Sequence, residues 1–179
     1  MPGSRRLAIT NSDPIATEKA RHRGHSVDML CKAFFTTGRE PSLVYQHQAY
    51  YRRLKPGLEK LRSLGHCSAD IQVHSHKHRY AGTIDLLCLG NFPIVAEIKT
   101  KRQLSEQFYH DDLLQLAAYI QAYKEMRGLL QVDGLLLVAT TSELLVHETH
   151  EAELNVLFAE FLSRLRLFLS LGACDDSGL

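Results

Sequence analysis

The chain has almost no charge of either sign to spare. Its 21 basic residues stand against 20 acidic ones, a formal net charge of +1. A global basic signature of nucleic-acid binding is absent, so any surface for a polyanion has to come from charge segregated onto one face. Cysteine is scarce and scattered: Cys31, Cys67, Cys88 and Cys174 are 36, 21 and 86 residues apart. No CxxC pair exists, which argues against a zinc ribbon. Iron–sulfur ligation needs closer clusters, and no iron–sulfur cluster is expected. The four read as separate reduced thiols. No apolar run approaches the ~18 residues of a spanning helix, so no membrane partner is expected. Internal repeats and low-complexity segments are also missing. The first twelve residues carry two arginines and no acid, but they are too short and too broken by Pro and Gly to read as a transit peptide.

What is present suits one domain over residues 1–179, long enough to bury a core without staples. Hydrophobic residues make up 45% and charged ones 23%, ordinary values for a globular protein. Breakers at Pro2, Gly3 and Asn11 to Pro14 predict a loose arm over 1–16, and the residues from Gly172 to Leu179 a frayed tail. A helix beginning near Pro14, capped by Ser12 or Asp13, would carry Val27, Met29, Leu30, Ala33 and Phe34 as a stripe. Gly24 inside it costs about 1 kcal/mol against Ala, which implies close approach of a neighbour, unless the helix starts at Gly24. Gly38 and Pro41 end the segment. A second helical stretch runs from Ser42 to Leu64, and Pro56-Gly57 kinks it or divides it in two. Its Arg52, Arg53, Lys55, Lys60 and Arg62 form either a solvated or a DNA-facing side.

From Ala69 the period changes to two. Ile71 and Val73, then Ile84, Leu86 and Cys88, predict two strands joined around Ser75 to Tyr80. His74, His76 and His78 alternate there and would share a face on an extended strand, either for a metal or, with Lys77 and Arg79, as a phosphate-facing edge. Gly90 to Pro93 is a turn, and Ile94 to Lys99 a third strand. A helix capped by Asp111 or Asp112 follows, then a doubly buried strand from Gly134 to Thr140, a short strand from Leu144 to Glu148, and a last amphipathic helix from Glu151 to Leu169. That helix uses Leu154, Leu157, Phe158, Phe161, Leu165 and Phe168 as its stripe. The order defines an α/β fold: a mixed central sheet of about five strands flanked by helices.

The chemistry concentrates between Gly82 and Tyr119. Glu97 and Lys99 are two apart on a strand and project from one face. Charges within an otherwise core-forming strand are costly to bury and need a reason. If the preceding strand pairs with this one, Asp85 brings a second carboxylate beside the lysine. Converging carboxylates repel and favour a hard divalent cation, Mg²⁺ or Mn²⁺, with the Ile98 backbone carbonyl as a third oxygen. Such an ion activates water, and Lys99 would place that water or stabilise charge developing on phosphorus. Gln115 and Tyr119 lie one helical turn apart on one face. They serve either as packing or as hydrogen-bond partners of Lys99 or a phosphate. Thr100 and Lys101 at the strand end, with His76, Lys77 and Arg79 at the hairpin tip, complete the candidate nucleic-acid contacts.

Gly-Thr-Ile-Asp at 82–85, Glu-Ile-Lys-Thr at 97–100 and Gln-x-x-x-Tyr at 115–119 together resemble the PD-(D/E)xK nuclease superfamily, in its RecB-like branch with the QxxxY motif. The resemblance covers roughly residues 20–169 and is strongest to the branch's mitochondrial genome-maintenance exonucleases. It implies a restriction-endonuclease-like core, Asp85 and Glu97 as metal ligands, Lys99 as the catalytic lysine, and Gln115 and Tyr119 in support. Family members tend to carry Gly-x-x-x-His in the first helix, with the His at the metal. Here Gly24 leads to Asp28, so Asp28 takes that place, with His25 as the alternative. The implied activity is a metal-dependent exonuclease acting on single-stranded DNA ends or flaps in replication, repair or genome maintenance. The alternative is a catalytically silent nucleic-acid-binding module of the same fold. A monomer is expected. The resemblance points to mitochondria, while a bacterial or phage origin fits equally.

Overall fold

A computed structural model of the chain describes residues 14–37, 47–104 and 106–172. Most of the expected arm, the break at Gly38 and Pro41, Leu43, Cys174 and nearly all of the expected tail lie outside them. Two helices come first, α1 (Pro14–Thr37) and α2 (Gln48–Leu64). Three strands follow, β1 (His66–Ser75), β2 (Tyr80–Leu89) and β3 (Pro93–Thr100). Then come α3 (Glu106–Arg127), β4 (Asp133–Ala139), β5 (Leu144–Thr149) and α4 (Glu151–Gly172). Among the described residues no helix is long and apolar enough to cross a membrane.

The strands form one five-stranded sheet in the order β1-β2-β3-β4-β5. Hairpin neighbours pair antiparallel, and β3 pairs parallel with β4 through the α3 crossover. This mixed α/β sheet with helices on both faces matches the architecture read from the sequence. One core lies under α3 and α4, built on Ile84, Leu87, Val95, Leu136 and Val138 of the sheet. The other lies under α1 and α2, on Leu86, Cys88, Ala96, Ile98, Leu135 and Leu137.

Several local expectations need correction. Helix α2 is continuous, with Pro56 inside it. An interior proline costs about 3 kcal/mol, but Tyr50, Tyr51, Leu54, Leu58 and Leu61 are all buried on this helix, at roughly 1.5–3 kcal/mol each. Packing therefore outweighs the lost hydrogen bond. Gly57 makes the contact possible, since a Cβ there would sit 3.0 Å from the Leu137 side chain. Helix α1 starts at Pro14, as expected, and not at the alternative Gly24; only the arm is shortened, since residues 14–16 belong to the helix. Met29 of its expected stripe is 58% exposed, whereas Val27 and Phe34 are buried. Helix α3 begins at Glu106 rather than beyond Asp112, because the polar stretch ahead of the apolar stripe is itself helical. The outer half of the α4 stripe does not reach the core, and Phe168 is 74% exposed.

The thiol reading is also corrected for one pair. Cys67 and Cys88 are directly opposed in the β1–β2 register, Cα atoms 4.0 Å apart, and are joined as a disulfide. A separation of 21 residues looked unrelated until the hairpin folded one strand back on the other. Cys31 is a free, buried thiol whose pKa burial pushes up.

Candidate active site

Strands β2 and β3 pair only from Leu89↔Pro93 to Leu86↔Ala96. Beyond that point β2 continues with β1 to Tyr80, and β3 continues with β4 to Thr100. The two strands therefore part at Asp85 and Glu97, leaving a notch in the middle of the sheet. At the same place β1 and β2 switch faces. Ile71 and Ile84 pack under α3, while Ala69 and Leu86 pack under α1 and α2. Regular strands would keep such i, i+2 pairs on one side. The intervening residues are Asp70, with φ of 56°, a left-handed conformation that Asp tolerates better than most side chains, and Asp85.

Asp85 closes the notch at one end. Its Oδ2 accepts a 2.9 Å hydrogen bond from the backbone N–H of Ile98, a donor that lost its strand partner when β2 turned away. An extended residue presents N–H and C=O to the same edge, so the Ile98 carbonyl also faces the notch. Burial pushes the Asp85 carboxyl up, the Ile98 N–H and Lys99 pull it down, and Asp28 adds a further upward push.

Glu97 and Lys99 lie on the α3 side of β3, the side of Val95. Glu97 is 1% exposed. Its Oε1 takes a 2.6 Å ion pair from Lys99 Nζ, and its Oε2 is buried with no hydrogen-bond partner. Burial and then repulsion from Asp85 push this carboxyl up to about 7, against the attraction of Lys99. Burial disfavours the charged form of Lys99, but Glu97, Asp85 and Asp112 outweigh it, so its pKa is raised and it stays cationic.

The third acid comes from α1. Asp28 Oδ2 is held at 2.6 Å by Lys32 Nζ, which reaches Asp70 Oδ1 at 2.5 Å with another of its protons. Asp28 Oδ1 is buried without a hydrogen-bond partner. Gly24, one turn before Asp28, faces Thr100 of β3, whose Oγ1 would lie 3.9 Å from a Cβ there, an ordinary van der Waals distance. His25 is exposed. On α3, Gln115 Nε2 donates to Tyr119 Oη at 2.7 Å. A Cβ on Gly82 would lie 2.2 Å from Tyr119 Cε1, so this glycine is what lets the tyrosine lie against β2. Thr100 receives long 3.4 Å contacts from Arg23, and Lys101 pairs with Asp112 at 2.9 Å.

The structure thus gathers Asp85, Glu97, Lys99, the Ile98 edge and Asp28 at one break in the sheet. Gln115 and Tyr119 stand beside β2 near its Gly82. It does not bring the hairpin tip there. β1 ends at Ser75, so His74, His76 and His78 are not the common strand face expected. His78 packs edge-on to Phe158, and the Lys77 amide bonds Glu125. His76, Lys77 and Arg79 are exposed, five or more β2 residues beyond Asp85, about 17 Å at the rise of a strand. Lys32, Asp70 and Asp112 were missed by sequence reasoning. Two of them had a legible signal: Lys32 is four residues after Asp28 on a helix, and Asp112 shares a helix face with Gln115 and Tyr119.

Hard oxygen donors with unpartnered buried lone pairs are the chemistry a divalent cation selects. Among the described residues no group of three or more His, Cys, Asp or Glu side chains is placed to hold a metal ion. Lys99, Lys32 and the Ile98 N–H each engage one carboxylate instead. Glu97 Oε2 and Asp28 Oδ1 are left as buried acceptors without a hydrogen-bond partner.

No protein-family model matches the chain, and no curated protein sequence matches it. Solved structures do. A candidate exonuclease from Eubacterium rectale superposes with a TM-score of 0.58 at 10% identity, over 82% of this chain and 66% of that one. The protein SSO0001 matches at 21% identity over 62% of this chain and 56% of its own, with a TM-score of 0.40, too loose to carry weight. The chain therefore spans between about half and two thirds of the length of these structures. The first likeness establishes a shared fold.

Proposed function

We propose that the chain is a divalent-metal-dependent nuclease of the RecB-like PD-(D/E)xK type, hydrolysing phosphodiester bonds at single-stranded DNA ends or flaps. The observation that carries this reading is the notch, where Asp85, a nearly inaccessible Glu97 with one unpartnered oxygen, and a raised, cationic Lys99 meet at a break in strand pairing. Three charges in one poorly hydrated place are expensive, and a purely structural role would be met more cheaply by apolar side chains. The fold shared with a candidate exonuclease supports the coarse class.

Asp85, Glu97 and the Ile98 carbonyl are the groups that would hold Mg²⁺ or Mn²⁺, with Asp28 the next carboxylate in reach. When bound, such an ion supplies Lewis acidity and a more acidic water. The protein's own residues do the rest. Lys99, aligned by Glu97, is a fixed cation for the charge that develops on the phosphoryl oxygens. The hydrolysis adds a water oxygen to phosphorus and breaks the ester P–O bond, the leaving oxygen taking up a proton. Lys101 and Asp112 hold the end of β3 against α3, which keeps Lys99 in register. Gln115 and Tyr119 form a hydrogen-bonded pair beside β2 that would face the strand being cut.

A second reading, a silent nucleic-acid-binding module, rests on Lys32, which already neutralises Asp28. Digestion of end-labelled single-stranded DNA with Mg²⁺ or Mn²⁺ separates the two. Cleavage by the wild type that Lys99→Met and Asp85→Asn abolish supports the nuclease. Absence of wild-type cleavage with either metal favours the module, and cleavage indifferent to both substitutions removes the proposed site.

A further inference from the structure

Beside the notch, between α1 and the start of α2, lies a groove of about 610 Å³. Lys19, His22 and Arg23 line it from α1, and His47 and Tyr50 from the other wall. The spacing i, i+3, i+4 puts the three α1 side chains on one helix face. Among the described residues of the lining the one acid, Glu18, is engaged by Arg21 at 2.7 Å. In a chain with a net charge of +1, a local excess of cations is the kind of segregation a polyanion site requires. Arg23 is also held in place. Its guanidinium lies 5.4 Å over the Tyr50 ring, and Tyr50 is buried. Its contacts to Thr100 are long at 3.4 Å, leaving donors for a further acceptor. Thr100 is the residue after Lys99, so Arg23 ties this groove to the end of the strand that carries the site.

We propose that this groove holds the nucleic-acid strand next to the bond being cut, with Arg23 as the anchor of a backbone phosphate and Lys19 and His22 along its path. The rings of His22 and His47, centroids 5.9 Å apart, offer flat faces on which a sugar or base can stack. A stretched single strand fits better than a duplex, since the lining gives phosphate donors and a wall but no element shaped for a groove. The inference deepens the nuclease reading and rests on it for the identity of the polymer.

The test measures anisotropy of a fluorescein-labelled oligothymidylate with the full chain in EDTA, across a salt series, so that binding is read without cleavage. Each single-strand phosphate neutralised contributes about 0.7 to the slope of log affinity against log salt. Arg23→Gln is expected to lower the slope by about that amount and weaken binding about tenfold at low salt. Lys19→Gln, at an exposed position, should lower the slope similarly, and Arg23→Lys should restore most of it. Three outcomes overturn the proposal: no binding by the wild type, unchanged slopes in Arg23→Gln and Lys19→Gln, or a loss carried by Lys77→Ala with Arg79→Ala at the hairpin tip instead. Binding that behaves as expected in a chain that cuts nothing with Mg²⁺ or Mn²⁺ would sink the nuclease reading and leave the groove standing.

Discussion

Replacing Glu97 by Gln is expected to stabilise the metal-free protein, and to do so only above acidic pH. The Glu97 carboxyl is pushed from 4.5 up to about 7 by burial and by Asp85. A raised acid binds more protons folded than unfolded between those two values, so stability falls as pH climbs from about 4.5 to 7 and stays low above. The shift of about 2.5 units corresponds to roughly 3 kcal/mol. Gln has nearly the same shape and no charge, so it escapes this penalty. It also removes the negative charge of the 2.6 Å partner of Lys99, although the amide oxygen can still accept and Asp85 and Asp112 still act on that ammonium. The net gain at pH 8 should therefore be about 1–3 kcal/mol, or about 2–10 °C in Tm for a chain of this size.

Thermal denaturation in EDTA at several pH values between 4 and 8 measures it. The gap between variant and wild type should be widest at pH 8 and close to nothing at pH 4, where Glu97 is already protonated in both states. Adding Mn²⁺ should narrow the gap by stabilising the wild type alone. A variant less stable than wild type at pH 8, or a gap that does not change with pH, would show that the Lys99 pair outweighs desolvation and that Glu97 is a structural ion pair.

Other substitutions probe the same notch. Lys99→Met should lower cleavage by about 10²–10³-fold while oligonucleotide binding in EDTA stays near wild type; an equal loss of both would make Lys99 a binding residue. Gly82→Ala must displace Tyr119, whose Cε1 lies 2.2 Å from the new Cβ. It should cost about 1–3 kcal/mol by denaturant melt, and an unperturbed melt would contradict this packing. Lys32→Met removes the cation shared by Asp28 and Asp70, so Tm should drop in EDTA and recover with Mn²⁺; recovery in EDTA alone would mean that the two acids do not strain each other.

Much of the scaffold was legible because its signals are local. Alternation marked β1 and β2, the continuous apolar run marked β4, and the 3.6-residue stripe marked the inner half of α4. The Glu97–Lys99 face followed from strand geometry alone. What stayed hidden depends on partners distant in sequence. Helix α2 runs through Pro56 because Tyr50, Tyr51, Leu54, Leu58 and Leu61 are buried along it, against partners that lie far off in sequence. The Cys67–Cys88 pairing needed the hairpin register. Asp112 read as a cap because the helix was expected to start there, and its pairing with Lys101 appears only once α3 packs on the sheet. The histidine alternation misled for a simpler reason: period two has meaning only while the chain is extended, and β1 ends at Ser75.

Asp85 is the residue where fold and chemistry are hardest to separate, and that decides how it should be tested. Because β2 turns away at this point, the N–H of Ile98, a residue only 8% exposed, would be left in the interior without an acceptor. Asp85 Oδ2 supplies one. Asp85→Ala therefore removes both a charge from the candidate site and the partner of a buried donor, at about 1–3 kcal/mol, and lost activity in that variant says nothing about which mattered. Asp85→Asn separates them, since its amide oxygen can still accept from Ile98 while the charge is gone. Its melting temperature in EDTA should stay at or above that of the wild type, given that burial disfavours the charged carboxylate. Its affinity for Mn²⁺ and its cleavage should both collapse. If Asp85→Asn binds Mn²⁺ and cuts like the wild type, Asp85 serves only to close the break in the sheet, and the metal reading loses its central ligand.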